Sequence, residues 1–156
     1  MRNKIICLFL ATFATLATFS QEKDEKRWLR VGLMATSIVL NGVGDGLYDE
    51  GHKTLSKSFK AASLVTLVSV PVFTRVDRRN GLKYVASFAL LRYGLFNTSY
   101  NLSRGLPYNY MGTTSVQDRA LKHVPDYLIS MSRFTAICLV IDLNKNQHEK
   151  QNHPRY

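Results

Sequence analysis

Four apolar runs divide most of this chain: 28–44, 59–74, 82–104 and 126–143. None alternates apolar with polar residues, and each is long for a strand, so the pattern favours helices. The expectation is an all-α chain of about four main helices in a bundle, plus one short helix. The second run is rich in Val and Thr and contains Pro71, which would kink or end its helix.

The connections support that division. "DRRNG" at 77–81 is a polar turn, and Gly105 followed by Pro107 is a helix-end signal. Glycine takes the left-handed cap there, and proline blocks continuation. Ser115 three residues before Asp118 resembles a capping box that opens a short helix through about Lys122. Pro125 then ends that helix and can start the next. The chain falls into residues 1–20, a bundle over 21–143 and a polar tail over 144–156 with no apolar period, expected to be disordered.

Residues 1–20 have the parts of a secretory signal: Arg2 and Lys4, then an apolar stretch, then small residues with a cut expected after Ser20. An uncleaved first helix is the competing reading. Export would leave Cys138 as the single cysteine of the mature chain, because Cys7 lies inside the signal. No intramolecular disulfide could then form, even in an oxidising compartment. Cys7 also lies too early in the apolar stretch to serve as a lipid-anchored residue, and Cys138, within "FTAICLVI", reads as a small buried apolar residue.

The formal charge of +10 suggests an anionic partner. The basic residues are scattered, with no compact cluster interleaved with aromatics, so nucleic acid is not expected. Membrane lipids, with anionic headgroups foremost, are the expected partners, together with other envelope proteins. Multi-pass insertion and attachment to a membrane surface both remain open. Strictly apolar cores of about 13–14 residues are short of the ~20 that a span needs. An exported N-terminus would also place Arg75, Arg78, Arg79 and Lys83 on the side that the positive-inside rule disfavours. Four apolar segments nevertheless exceed what a small soluble core needs, which tilts the balance toward insertion.

Three polar constellations stand out. In "NGVGDGLYDEGH", a continuous helix would align Asn41, Asp45, Asp49 and His52 on one face. Asp45, Asp49 and His52 could then ligate one divalent metal ion, although the bland reading is a solvated helix end, and no cofactor is the primary expectation. Glycines 42, 44 and 46 lack dinucleotide-loop spacing and can let another helix approach closely. Arg92 and Arg133 each sit inside an apolar run and need partners if buried, with Asp45 the natural one. Finally, Tyr93, Asn97, Asn101 and Arg104 form a ladder suited to binding or bracing, since asparagine is no general base. No nucleophile–base pair is legible.

The segments "LLRYGLFNTSYNLSRGLPYNYMGTTSVQD" and "NGVGDGLYDEGHK" resemble small envelope proteins of Bacteroidetes-type bacteria and their phages. "FSQ" at the end of the signal is similar to exported proteins of such bacteria. The resemblance implies a compartment and carries no chemistry.

The function expected is that of a non-enzymatic envelope protein, a membrane-associated bundle in which Asp45, Arg92, Asn97, Asn101, Arg104 and Arg133 form a helix-bridging network. The alternatives are a small membrane enzyme or metal protein acting on lipid-linked phosphate, and a phage-type interaction or lysis factor.

Overall fold

The computed structural model describes residues 25–74, 81–111, 121 and 123–145. The expected signal at 1–20, nearly all of the 77–81 turn, the capping box at Ser115 with most of its short helix, and residues 146–156 lie outside the described residues. Within them the chain is all-α: α1 spans Glu25–Asp49, α2 Lys53–Thr74, α3 Gly81–Ser103 and α4 Asp126–Lys145. Two residues assigned to the tail from sequence thus belong to the last helix, and Asn144 is buried. Pro71 does not end α2, which runs on to Thr74. Pro71 is exposed.

The helix ends follow from local chemistry. Gly51 and Gly105 both take the left-handed conformation, at φ 86° and 70°. At each, two backbone bonds close a Schellman motif: His52 N to Leu47 O with Gly51 N to Tyr48 O, and Leu106 N to Asn101 O with Gly105 N to Leu102 O. His52 immediately becomes the cap of α2, its carbonyl accepting from Ser56 N at 2.9 Å. Pro125 does the same for α4, its carbonyl accepting from Leu128 N and Ile129 N.

The helices run up, down, up, down. Arg30 near the start of α1 donates to both oxygens of Thr74 at the end of α2, so α1 and α2 are antiparallel. Gly42 and Gly46 of α1 meet Ser99 and Ser103 of α3 in step, so α1 and α3 are parallel. Asn144 near the end of α4 donates to Ser87 near the start of α3, so these two are antiparallel. α1 packs on α2 and α3, and α4 packs on α3. Met34 and Ile38 of α1 join Val70, Leu91 and Val140 from the other three helices in one small apolar core.

Elsewhere the interfaces are built from small and polar residues. The buried positions of α2 are Ser56, Ser63, Val70 and Thr74, and those of α3 include Ser87, Gly94, Ser99 and Asn101. Ser37 and Ser63 exchange hydrogen bonds across α1 and α2, each hydroxyl donating to the other residue's carbonyl at 3.0 and 2.8 Å. A Cβ on Gly42 or Gly46 would sit 2.8 or 2.7 Å from a carbonyl oxygen of α3, so only glycine permits this approach. Gly44 instead faces α2, opposite Ser56 and Lys60. The expectation that these glycines admit close helix approach is therefore met.

Large apolar side chains point outward instead. Leu64, Val65, Val68, Val72 and Phe73 are exposed on α2, and Tyr127, Met131, Phe134, Leu139 and Ile141 on α4. Cys138, expected in the interior, is exposed among them. Among the described residues no helix is long and apolar enough to cross a membrane. Within these four helices the expectation of membrane spans is not met, because polar or charged residues such as Asn41, Lys60, Arg92 and Arg133 interrupt or shorten the apolar runs.

Candidate functional site

The ends of α1 and α3 and the start of α2 come together at one corner of the bundle, and most of the expected polar residues lie there. Asp45 is one helical turn before the α1 cap, and its carboxylate pairs with Lys60 of α2 at 2.7 Å. The Lys60 ammonium also lies over the Tyr48 ring, 5.2 Å from its centroid. Asp49 accepts a hydrogen bond from the Tyr100 hydroxyl of α3. Arg104 donates to the Tyr100 oxygen at 2.9 Å and to Glu50 at 3.4 Å, with Asp49 4.0 Å away. A directed chain results, Arg104 to Tyr100 to Asp49, tying the end of α3 to the end of α1.

This chain shifts two protonation equilibria. Burial first, and the bond to Asp49 second, push the Tyr100 hydroxyl above the usual tyrosine range. The bond to Tyr100 raises the Arg104 guanidinium, which stays charged. At the opposite end of the bundle, burial and then the nearby Arg27 lower Arg30. Arg30 still keeps its two bonds to Thr74.

Asp45, Asp49 and His52 do not converge as a metal site. The helix ends at Asp49 and Gly51 reverses the chain, so His52 leaves the face that a continuous helix would have given it. Asp45 is turned to Lys60, and Asp49 to Tyr100 and Arg104. Among the described residues no group of three or more His, Cys, Asp or Glu is placed to hold a metal ion.

The two embedded arginines part company. Arg92 is exposed and lies over the Phe96 ring, 4.4 Å from its centroid, so it does not clamp Asp45. A lone arginine in an apolar run can snorkel as readily as it can pair, and here the aromatic face one turn away receives it. Arg133 is buried, and donates to Tyr108 O at 3.4 Å and towards Met111 Sδ at 3.5 Å.

The ladder of Tyr93, Asn97, Asn101 and Arg104 splits in the same way. The Tyr93 hydroxyl meets Ser132 of α4 at 2.6 Å. Asn101 is buried and its amide donates to Tyr108 O and Tyr110 O, at 3.3 and 2.8 Å, so it holds the loop that follows its own helix. Asn97 is half-buried and makes no side-chain hydrogen bond among the described residues. The ladder that does exist is Arg92, Phe96, Tyr100 and Arg104, spaced by four. Phe96 and Tyr100 stack at 6.5 Å, and an arginine lies over each outer ring. Its signal was the aromatic pair between two arginines at i, i+4 spacing.

Sequence reasoning also missed Lys60, Glu50 and the bridging serines. Ser56, Ser63 and Val70 recur every seven residues on α2, as do Ser87, Gly94 and Asn101 on α3, so small-residue periodicity could have located these seams. Chemically, the corner is a brace: each carboxylate faces a cation or a hydroxyl. No family model matches the chain, and no curated protein or solved structure is detectably similar to it.

Proposed function

We propose that the chain is a non-enzymatic protein of the cell envelope, a helical bundle that lies on an anionic membrane through the outer face of α2. The observation that carries this reading is the inverted arrangement of that helix. Val65 and Phe73 are 69% and 63% exposed, while serines line its buried side. Leu64, Val68 and Val72 extend the same outer face. Lys53 and Lys57 lie toward its start, ahead of Lys60, which is paired with Asp45, and the sequence beyond its end continues "RVDRRN". Basic residues thus bracket an apolar strip from Ala61 to Phe73 that is ~20 Å long at 1.5 Å per residue.

That strip is shorter than the ~30 Å hydrocarbon core, which suits residence in the interface rather than a crossing. Burying a Val, Leu or Phe side chain is worth about 1.5–3 kcal/mol. Each lysine near an anionic surface adds about 1 kcal/mol. The polar corner then serves as a brace that keeps α1, α2 and α3 in register. The reading of a metal-dependent enzyme on lipid-linked phosphate draws no support from Asp45, Asp49 and His52 as they are placed.

Flotation with phosphatidylglycerol and phosphatidylcholine vesicles tests the reading. The protein should float with the anionic vesicles and be displaced by salt, and Val68→Glu with Phe73→Glu should abolish flotation while helix content is kept. Recovery in the protein-only fraction with both vesicle types would overturn it.

A further inference from the structure

We infer, on the basis of the membrane reading above, that the bundle meets the bilayer tilted. The end opposite the polar corner presses into anionic lipid, and the corner is held off it. The starts of α1 and α3 and the ends of α2 and α4 gather at that far end. There Arg27 donates to the carbonyl of Asn144 in α4, while Arg30 holds Thr74 of α2. Burial first, and Arg27 second, lower the Arg30 guanidinium, and a phosphate headgroup would relieve the repulsion between the two.

The two ends differ in charge. Among the described side chains the far end carries Arg27, Arg30 and Lys83 against Asp142, and in sequence Glu25, Lys26 and Lys145 of the outermost turns add one positive charge. At the corner Asp45, Asp49, Glu50 and Asp126 match Lys53, Lys57, Lys60 and Arg104 in number. An anionic surface therefore attracts the far end and gains nothing at the corner. α1 and α3 are ~35 Å long at 1.5 Å per residue, several times the ~8 Å screening length, so charges at the lifted corner feel little of that surface.

The exposed apolar residues differ in the same sense. Leu82 is 86% exposed at the far end, and Leu29, Phe73 and Val85 are exposed there too. The corner exposes mostly tyrosines, Tyr48, Tyr108, Tyr110 and Tyr127, with Leu55 and Leu102. Tyrosine suits the headgroup level, whereas leucine, valine and phenylalanine gain from the hydrocarbon. α2 repeats this bias along its own length, since Leu64, Val65, Val68, Val72 and Phe73 all lie in its second half.

Single-tryptophan reporters test the tilt, both in a Trp28→Phe background because Trp28 is the sole tryptophan. On phosphatidylglycerol vesicles with brominated acyl chains, Leu82→Trp should shift its emission to the blue and be quenched. Tyr110→Trp should escape the bromines and stay open to acrylamide in the water. Lys83→Gln should weaken partitioning about fivefold, the factor for one charge near an anionic surface, and Lys53→Gln less than about twofold. All four positions are exposed, so helix content should match the parent. Equal quenching of the two tryptophans, or equal losses from the two lysine variants, would overturn the tilt and leave a bundle lying flat on α2. Absence of flotation in the parent would instead remove the membrane reading itself, and the tilt with it.

Discussion

Replacing Gly46 or Gly42 by alanine puts the close approach of α1 and α3 under direct strain. The added methyl would lie 2.7 Å from Tyr100 O or 2.8 Å from Phe96 O, and against the hydroxyl of Ser103 or Ser99. The serine side chains have little room to turn, since each already donates to a carbonyl of its own helix. A backbone oxygen cannot rotate away, so the helices must separate by ~0.6 Å, which forfeits a quarter to a half of the dispersion energy along the contact. Overpacking of this kind costs about 1–3 kcal/mol, offset by the ~1 kcal/mol that alanine gains over glycine in a helix. The net expectation is a change between about zero and a loss of about 2 kcal/mol for either variant, against the ~1 kcal/mol gain of an unhindered helix position. Gly44→Ala is the milder case, because the nearest backbone atom is Ser56 O at 3.3 Å rather than 2.7–2.8 Å, and it should cost less than either. Urea unfolding followed by circular dichroism reads all three, and Ser103→Gly should recover part of the Gly46→Ala loss. If Gly42→Ala and Gly46→Ala both gain the ~1 kcal/mol of an unhindered helix position, the close α1–α3 seam is wrong.

Three further outcomes are expected. Ser37→Ala and Ser63→Ala should each cost about 0.5–1.5 kcal/mol, the net value of a hydrogen bond, and the double variant should depart from their sum because the two hydroxyls also meet each other. Tyr100 has its hydroxyl pKa raised in the folded state, so its contribution is complete below the ordinary tyrosine value near 10 and is lost as pH rises through the folded value. The stability gap between the parent and Tyr100→Phe should therefore be constant up to about pH 9 and close above about pH 10, as seen in urea midpoints across that range. Asn101→Ala leaves the carbonyls of Tyr108 and Tyr110 without its amide, so chymotrypsin should cut after these tyrosines faster than in the parent, with little change in helix content.

The helices were legible because apolar runs and turn residues agree. Gly105 with Pro107 marks an end that the Schellman bonds complete, and Pro125 marks a start. Partners within the polar set were less legible. Arg92 and Arg133 look alike in sequence, each one cation in an apolar run, yet one lies outside on Phe96 and the other inside on Tyr108 O. Their rotational position on a helix depends on which face packs, and the apolar residues mislead on that point here. A reader who assigns large apolar residues to the interior turns α2 the wrong way round, since Ser56 and Ser63 are buried while Leu64 and Val65 are not. Asp45 finds a lysine rather than an arginine because α2, not α3, passes its side of α1. His52 was misplaced for a different reason: one left-handed glycine broke the face that spacing alone had drawn.

The serine and glycine seams also bear on how this protein responds to temperature. Unfolding raises heat capacity in proportion to the apolar surface newly wetted, ordinarily about 12–15 cal/mol/K per residue. Here Leu64, Val65, Val72, Phe134 and their neighbours already face outward in the folded chain. Away from a membrane, little of their surface is newly exposed on unfolding. The heat-capacity increment should fall below the ordinary value, giving a shallow stability curve that cold and heat erode slowly and nearly alike.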